Sequence, residues 1–162
     1  MRRARTADVT MIKSLVDGYA GRVLLAKEIV TLYESVQEFW VAVTPDGTVV
    51  GCGALHVMWQ DLAEIRTLAA DRTRRGTGVG HALLDALLER ARQIGLRRVF
   101  CLTFEVAFFE SHGFHVIEGT SVTPDVYLEL LRSHDDGVAE FLDLARVKPN
   151  TLGNSRMLLE LG

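Results

Sequence analysis

From Val79 to Ile94 the apolar residues Val79, Leu83, Leu84, Leu87, Leu88, Ala91 and Ile94 recur every three or four positions, with charged residues filling the gaps. That period puts them on one face of a helix, and Gly95 supplies a stop. A weaker pattern of the same period, Ile12, Leu15, Val16 and Tyr19, predicts a first helix with Thr6 or Asp8 as its cap. Ile29, Leu32, Tyr33 and Val36 predict a second. Between these and the long helix the pattern changes to β-rich runs. Phe39–Val43 and Val49–Met58 flank the turn-forming Pro45, Asp46 and Gly47 and read as a hairpin, and "LAEIRTLAA" reads as a further strand.

After Gly95, "RRVFCL" is a buried strand, "EVAFFESHG" a short helix ending at Gly113, and "FHVI" another strand. Pro124 starts a helix through "PDVYLELLRSH", a short helix is expected from Val138 to Ala145, and "SRMLLEL" closes the chain as a strand. A strand, a glycine-rich turn, a helix and a strand in succession form a βαβ unit whose strands are parallel, whereas the hairpin before it is antiparallel. The expected class is α/β with a mixed central sheet.

Composition narrows the options. The 162 residues suffice for one well-buried core, so residues 1–162 are expected to form one domain. With 48% apolar residues and a net charge of −3, neither a disordered chain nor a broad nucleic-acid-binding surface is expected. No apolar run approaches a membrane span. Cys52 and Cys101 lie in apolar strand-like runs and are too few for a disulfide scaffold, which points to a reduced, cytoplasmic compartment. His112 and His115 flank a glycine and have no third ligand nearby, so no metal is expected.

The chemistry concentrates in "TRRGTGVG", directly before the long helix. The first N–H groups of a helix have no partner inside it, and the helix dipole leaves partial positive charge there. Glycines admit a phosphate close to the backbone, and arginines add charge-assisted hydrogen bonds. A P-loop would place lysine and then serine or threonine after the last glycine, but His81 and Ala82 follow Gly80. A dinucleotide fingerprint would read GxGxxG in a repeated βαβ frame, and this stretch is GxGxG after a helix pair and a hairpin.

Arg75, Gly76, Thr77, Gly78, Val79 and Gly80, placed after "AEIRTLAA" and before "HALLDALLERARQIGLRRVFCL", with "FFESHGF" later, resemble the acyl-coenzyme A signature of the GCN5-related N-acetyltransferase (GNAT) family. The resemblance spans nearly the whole chain. It implies a single-domain GNAT fold, with antiparallel N-terminal strands and a parallel, splayed pair formed by the fourth and fifth strands, flanked by helices. It also implies acetyl-CoA as cosubstrate, with the amides of the Arg75–Gly80 loop on the pyrophosphate and the backbone of Leu68, Ala69 and Ala70 along the pantetheine arm. Arg72 and Arg74 would touch the outer phosphates or remain solvated.

Within that family, "LLAKEIVTLYESVQEFWVAVTPDGTVVGCGAL", "AEIRTLAA", "RVFCLTFEVAFFESHGF" and "GNSRMLL" resemble the short amino-acid N-acetyltransferases that make N-acetylglutamate, the first step of arginine biosynthesis. The implied substrate is L-glutamate or L-glutamine, acetylated by direct attack in a ternary complex. Glu64 stands where those enzymes carry a glutamate base, since the attacking amine must be neutral and burial can raise a carboxyl to suit the task. Pairing with Arg66 is its structural alternative. Thr103 maps to a strand-end hydroxyl that protonates the departing thiolate, while Phe109 replaces the tyrosine used more widely in the family. Lys27 stands for an arginine on the substrate α-carboxylate. Ser155 keeps a substrate-binding serine, but Gly153 replaces the cation expected for a side-chain carboxylate. That loss implies a relaxed glutamate preference, favouring glutamine unless Arg156 or Lys148 compensates. The expected partner is a small amino acid, without nucleic acid or membrane, and a homodimer is compatible. A peptide N-terminal acetyltransferase and a non-catalytic acyl-CoA sensor are the alternative readings.

Overall fold

The computed structural model describes residues 1–19 and 27–162, and only the backbone at residues 149 and 150. Seven strands follow the order β1-β2-β3-β4-β5-β7-β6. The chain gathers into two compact units, Met1–His56 with Ile65–Gly95, and Val57–Glu64 with Leu96–Gly162. The strands β3 (Val49–Trp59) and β4 (Leu62–Ala70) contribute to both.

In the first unit, β1 (Arg2–Arg3) lies antiparallel to β2 (Phe39–Val43), and β2 lies antiparallel to β3. Strand alternation sends successive side chains to opposite faces. Phe39 and Val41 therefore meet Val9, Ile12, Leu15 and Val16 of α1 (Val9–Asp17) and Leu32 of α2 (Ile29–Glu34), whereas Ala42 packs with Leu83 of α3 (Val79–Gln93). β3 lets α3 lie close because Gly51 and Gly53 are at the contact. A Cβ on Gly51 would come within 2.8 Å of Leu83 and Val79, and one on Gly53 within 2.8 Å of Leu68 and 2.9 Å of Leu87. The long helix buries Leu83, Leu84, Leu87, Leu88 and Ala91, and Gly95 ends it at φ +87°.

Capping of the first helix differs from expectation. Thr6–Asp8 form a 3₁₀ turn, and neither Thr6 nor Asp8 caps α1 through its side chain. The Asp8 carboxylate instead accepts from the Arg5 N–H at 2.7 Å and from both terminal nitrogens of Arg2 at 2.7 and 2.9 Å. A bidentate guanidinium outcompetes the helix amides.

In the second unit, β4 and β5 (Arg98–Thr103) run parallel, with Leu62 opposite Arg98, Ala63 opposite Val99 and Glu64 opposite Phe100. β7 (Ser155–Glu160) is antiparallel to β5, and β6 (His115–Val116) is antiparallel to β7. α5 (Pro124–Leu130) and α6 (Asp136–Phe141) supply Leu130, Val138 and Phe141 to a core with Leu62, Phe100 and Leu158. Phe141 meets Phe100 edge-on at 4.9 Å. α6 starts before Val138 because the Asp135 side chain caps it, and it ends well before Ala145 because Asp143 turns left-handed at φ +60°. Leu144 N–H then bonds the Ala139 carbonyl, which closes the helix. The "FHVI" strand is shortened to its two middle residues, with Phe114 buried behind α4 (Val106–Glu110) and donating its N–H to Phe109.

Candidate active site

The glycine-rich loop is solvent-exposed from Arg72 to Gly78. Asp71 starts it by accepting from the N–H and hydroxyl of Thr73 at 2.8 and 2.7 Å, which folds Arg72–Arg74 into one 3₁₀ turn. Thr77 N–H closes a further turn on the Arg74 carbonyl. Gly76 and Gly78 both adopt positive φ, +79° and +86°, and a Cβ on either would meet no atom within 4 Å. The two glycines are thus required by backbone conformation, and the space above them is open. Gly78 stands as the N-cap of α3, so Val79 and Gly80 open the first helical turn, ahead of the first bond along the helix, from Ala82 N–H to the Gly78 carbonyl. The exposed Arg75 side chain and the backbone around Gly76 and Gly78 therefore present positive charge and donors around an accessible helix start, while Thr77 uses its N–H and hydroxyl on the Arg74 carbonyl; the arrangement suits an anionic diphosphate.

β4 leads straight into this loop. Leu68, Ala69 and Ala70 are its last three residues, and Ala69 is buried. The Ala70 carbonyl accepts from the Tyr19 hydroxyl at 2.6 Å. Arg72 stacks over the Tyr19 ring, 5.1 Å from its centroid, and donates to the Gly18 carbonyl, so it holds the end of α1 and does not reach outward. Arg74 is exposed. Ahead of these residues Thr67 has φ +56°, a conformation that costs a β-branched residue about 1–3 kcal/mol. Its side chain is 8% exposed, and its carbonyl receives the Cys52 thiol at 3.6 Å. This left-handed residue stands just before the three residues expected to run along the pantetheine arm.

The acceptor-side residues lie in the second unit. Glu64 is 4% exposed, more deeply buried than the partly buried carboxylate expected for a base. Its strand partner is Phe100, and its negative charge helps push the Cys101 thiol up, after burial, which is the larger cause. Thr103 is 7% exposed, and its hydroxyl accepts the Glu105 N–H at 2.8 Å. That bond uses a lone pair and leaves the hydroxyl proton available for donation. Thr103 and Ser155 are direct partners across β5 and β7, so these two predicted residues are brought together. Phe109 is buried, with its ring edge-on to Phe108 and Phe114, and serves the core.

Lys27, in the first unit, is half-buried just ahead of α2, and the Leu24–Leu25 pair before it lies outside the described residues. Gly153 is left-handed at φ +79°, and a Cβ there would approach the Phe104 ring at 3.2 Å. Both cations considered as compensation for it are engaged. Lys148 pairs with Asp143 at 2.5 Å. Arg156 donates to the carbonyls of Gly119 and Glu140 at 3.1 Å each and to that of Phe141, and lies over the Phe100 ring at 5.0 Å. Tyr19, Thr67 and the Arg156 clamp were not predicted as site features. Arg156 leaves a trace in the sequence, as a cation directly before the apolar run Met157, Leu158 and Leu159.

Among the described residues no three His, Cys, Asp or Glu side chains stand where they could share a metal ion, and no helix is long and apolar enough to cross a membrane.

Residues 14–114 match the model of the acetyltransferase (GNAT) family. Over 163 aligned residues the chain is 65% identical to the amino-acid acetyltransferase of Mycobacterium tuberculosis, covering 99% of this chain and 94% of that one. A crystal structure of a Mycobacterium tuberculosis protein in complex with CoA and NLQ has a TM-score of 0.97 at 65% identity, over 99% of this chain and 98% of that one. The N-acetylglutamate synthase of Neisseria gonorrhoeae, complexed with coenzyme A and N-acetyl-glutamate, has a TM-score of 0.78 at 22% identity, over 99% of this chain and 34% of that one. At that identity the likeness concerns the fold alone.

Proposed function

The chain belongs to the acetyltransferase (GNAT) family, and from that premise we propose that it transfers acetyl from acetyl-CoA to the α-amino group of a free amino acid, L-glutamine or L-glutamate, as the first step of arginine biosynthesis. The observation that carries the coenzyme half of this reading is the exposed Arg75–Gly80 loop, with two glycines at positive φ ahead of an open helix start. The acceptor half is supported by the name of the 65% identical Mycobacterium tuberculosis relative, an amino-acid acetyltransferase.

When bound, acetyl-CoA supplies an activated acyl thioester. The amine must attack as the free base, and an α-amino group titrates near pH 8. In this reading Glu64 takes the proton, directly or through water. A strand N–H near Leu68 donates to the carbonyl oxygen as that oxygen gains charge. The Thr103 hydroxyl gives its proton to the departing sulfur. Lys27 meets the α-carboxylate as a single charge without the fork an arginine would offer, and Ser155 bonds the far end of the side chain. At that end Gly153 and the Phe104 ring offer no cation, and Lys148 and Arg156 are already committed. A neutral amide loses less there than a carboxylate, so glutamine is the favoured acceptor.

The test is coenzyme A release from acetyl-CoA, followed with a thiol reagent against a panel of free amino acids and short peptides. Glutamine should give the fastest initial rate, with glutamate slower. A strong glutamate preference refutes the specificity, release with peptides alone points to a peptide N-terminal acetyltransferase, and tight binding without release points to a sensor. Glu64→Gln should lower turnover while leaving coenzyme affinity nearly unchanged, and unaltered turnover across pH removes Glu64 as the base.

A further inference from the structure

In the first unit, β4 and the glycine-rich loop meet at one peptide group, the one joining Ala70 to Asp71, and that group is held from both sides. Its N–H donates to the Val50 carbonyl at 2.8 Å, and its carbonyl accepts from the Tyr19 hydroxyl at 2.6 Å. A trans peptide is planar, with N–H and C=O pointing in opposite directions, so bonds at both ends stop the plane from swinging about the chain. The bond to Val50 continues the contact of β4 with β3, its neighbour in the sheet. The bond from Tyr19 comes from outside the sheet, just beyond α1. Arg72 makes the same connection a second time: it lies over the Tyr19 ring, 5.1 Å from the centroid, and donates to the carbonyl of Gly18, the C-cap of α1.

Neither local structure depends on these contacts. α1 closes by itself, with Gly18 N–H on the Ser14 carbonyl at 3.2 Å and Tyr19 N–H on the Val16 carbonyl at 3.0 Å. The Arg72–Arg74 turn is closed by the Asp71 carboxylate on Thr73 and by Arg74 N–H on the Asp71 carbonyl at 2.9 Å. A phenylalanine at 19 would pack its ring on the same core without reaching the Ala70 carbonyl. What Tyr19 and Arg72 add is a fixed angle between the strand and the loop. In the reading of the coenzyme site given above, the pantetheine arm runs along Leu68, Ala69 and Ala70 and the diphosphate sits on Arg75–Gly80, so the Ala70–Asp71 peptide is the joint between the two halves of one ligand's site. Resting on that reading, we propose that Tyr19 is a positioning residue: with Arg72 it forms a latch from the end of α1 that locks this joint and keeps both halves of the coenzyme site in register. A ligand of two linked parts gains affinity by engaging both subsites at once, and the gain falls when the subsites move against one another.

The experiment measures, by calorimetry, the affinities of two ligands for the wild-type protein, Tyr19→Phe, Arg72→Lys and the double variant. One ligand is coenzyme A; the other is adenosine 3′-phosphate 5′-diphosphate, which carries the diphosphate and lacks the pantetheine arm. Tyr19→Phe should weaken coenzyme A by about tenfold, the scale of one lost hydrogen bond, and leave the nucleotide within about twofold of wild type. Arg72→Lys keeps the charge but gives up the planar stack on Tyr19, and it should show the same split. The double variant should lose little beyond the larger single loss, because the two side chains act as one unit. Equal weakening of both ligands in Tyr19→Phe assigns the hydroxyl to folding of the loop and overturns the proposal, as do unchanged affinities or losses that simply add in the double variant. Independently of any variant's folding, the Asp71 amide of the ligand-free wild type should be protected from hydrogen exchange, and exchange at the rate of an open loop also overturns it. If the wild type binds coenzyme A no more tightly than the nucleotide, the reading of the pantetheine stretch fails and the latch with it. If the wild type prefers coenzyme A and Tyr19→Phe keeps the whole preference, only the present inference fails.

Discussion

Gly78 and Gly47 offer a matched pair for testing whether the loop before α3 works through its backbone. Both are left-handed, at φ +86° and +88°, and a Cβ on either would meet nothing within 4 Å. Alanine at each position therefore incurs the same cost, about 1–2 kcal/mol for an L-residue in the left-handed region. Reduced freedom of the unfolded chain returns about 0.4–1 kcal/mol of this. The net loss is about 1 kcal/mol, which lowers the melting temperature of a domain this size by about 2–4 °C. Their surroundings differ in one respect. Gly47 sits in the β2–β3 turn, where its N–H bonds the Thr44 carbonyl, whereas Gly78 is the N-cap of α3 in the arginine-rich loop. Differential scanning fluorimetry should show equal shifts for Gly47→Ala and Gly78→Ala. Calorimetric titration with coenzyme A should show wild-type affinity for Gly47→Ala and a loss of about tenfold or more for Gly78→Ala, from a methyl group on the phosphate-facing backbone, equivalent to about 1.4 kcal/mol. Equal affinities in the two variants would refute the placement of the diphosphate on these amides.

Three further outcomes test other parts of the structure. Asp8 is held below the ordinary carboxylate range by Arg2 first and by the Arg5 N–H as well; its contribution to stability is therefore complete above about pH 3.9 and is lost as pH falls through its depressed native value. Asp8→Asn should cost about 1.5–3 kcal/mol at pH 7 in urea melts, with the difference from wild type closing in acid, and a gap that persists at the lowest pH contradicts the ion pair. Burial pushes the Cys52 thiol up to about 12 and Cys101 upward too, so iodoacetamide at pH 8 should leave both unmodified in the native protein and label both after denaturation, and rapid native labelling would contradict their burial. Thr103→Val should slow acetyl transfer in single-turnover measurements by about tenfold or more, with Thr103→Ser close to wild type, and an unchanged rate in the valine variant leaves the hydroxyl with only its bond to Glu105.

What could be read from the sequence was what local periodicity encodes. The α3 stripe, the hairpin around Pro45–Gly47 and the parallel order of β4 and β5 follow from spacing and from punctuation by glycine and proline, and they stand where expected. Thr67 was not legible, because nothing local asks a β-branched residue to adopt φ +56°, and the packing around a residue only 8% exposed must impose it. The early end of α6 was hidden for a similar reason. Leu142 and Leu144 continue an apolar pattern, and only the left-handed Asp143 breaks the helix between them. Arg156 could be suspected as a spare cation near Gly153, but its three carbonyl partners, at positions 119, 140 and 141, come together only through the fold.

That contrast explains why the two halves of the chemistry carry different kinds of signal. In the proposed function the coenzyme half rests on main-chain amides, which need glycine where φ is positive and room above it, so a short spacing pattern announces it. The acceptor half, as proposed, would depend on side chains set by strand register, with Glu64 against Phe100 and Thr103 against Ser155. On the proposed function a single substitution there would change the acceptor without touching the frame, and glycine at 153 leaves an aromatic edge where a cation is expected. A frame shared with a protein only 22% identical is therefore weak evidence about the acceptor, and the discriminating information lies in a few register-defined positions. Restoring a cation at 153 tests this directly. Gly153→Arg carries the strain of φ +79° and a 3.2 Å approach to Phe104, so it should lose about 1–3 kcal/mol of stability. If the absent charge sets acceptor choice, its rate ratio of glutamate to glutamine should nevertheless rise above that of wild type; a ratio unmoved by the new charge would place acceptor choice elsewhere.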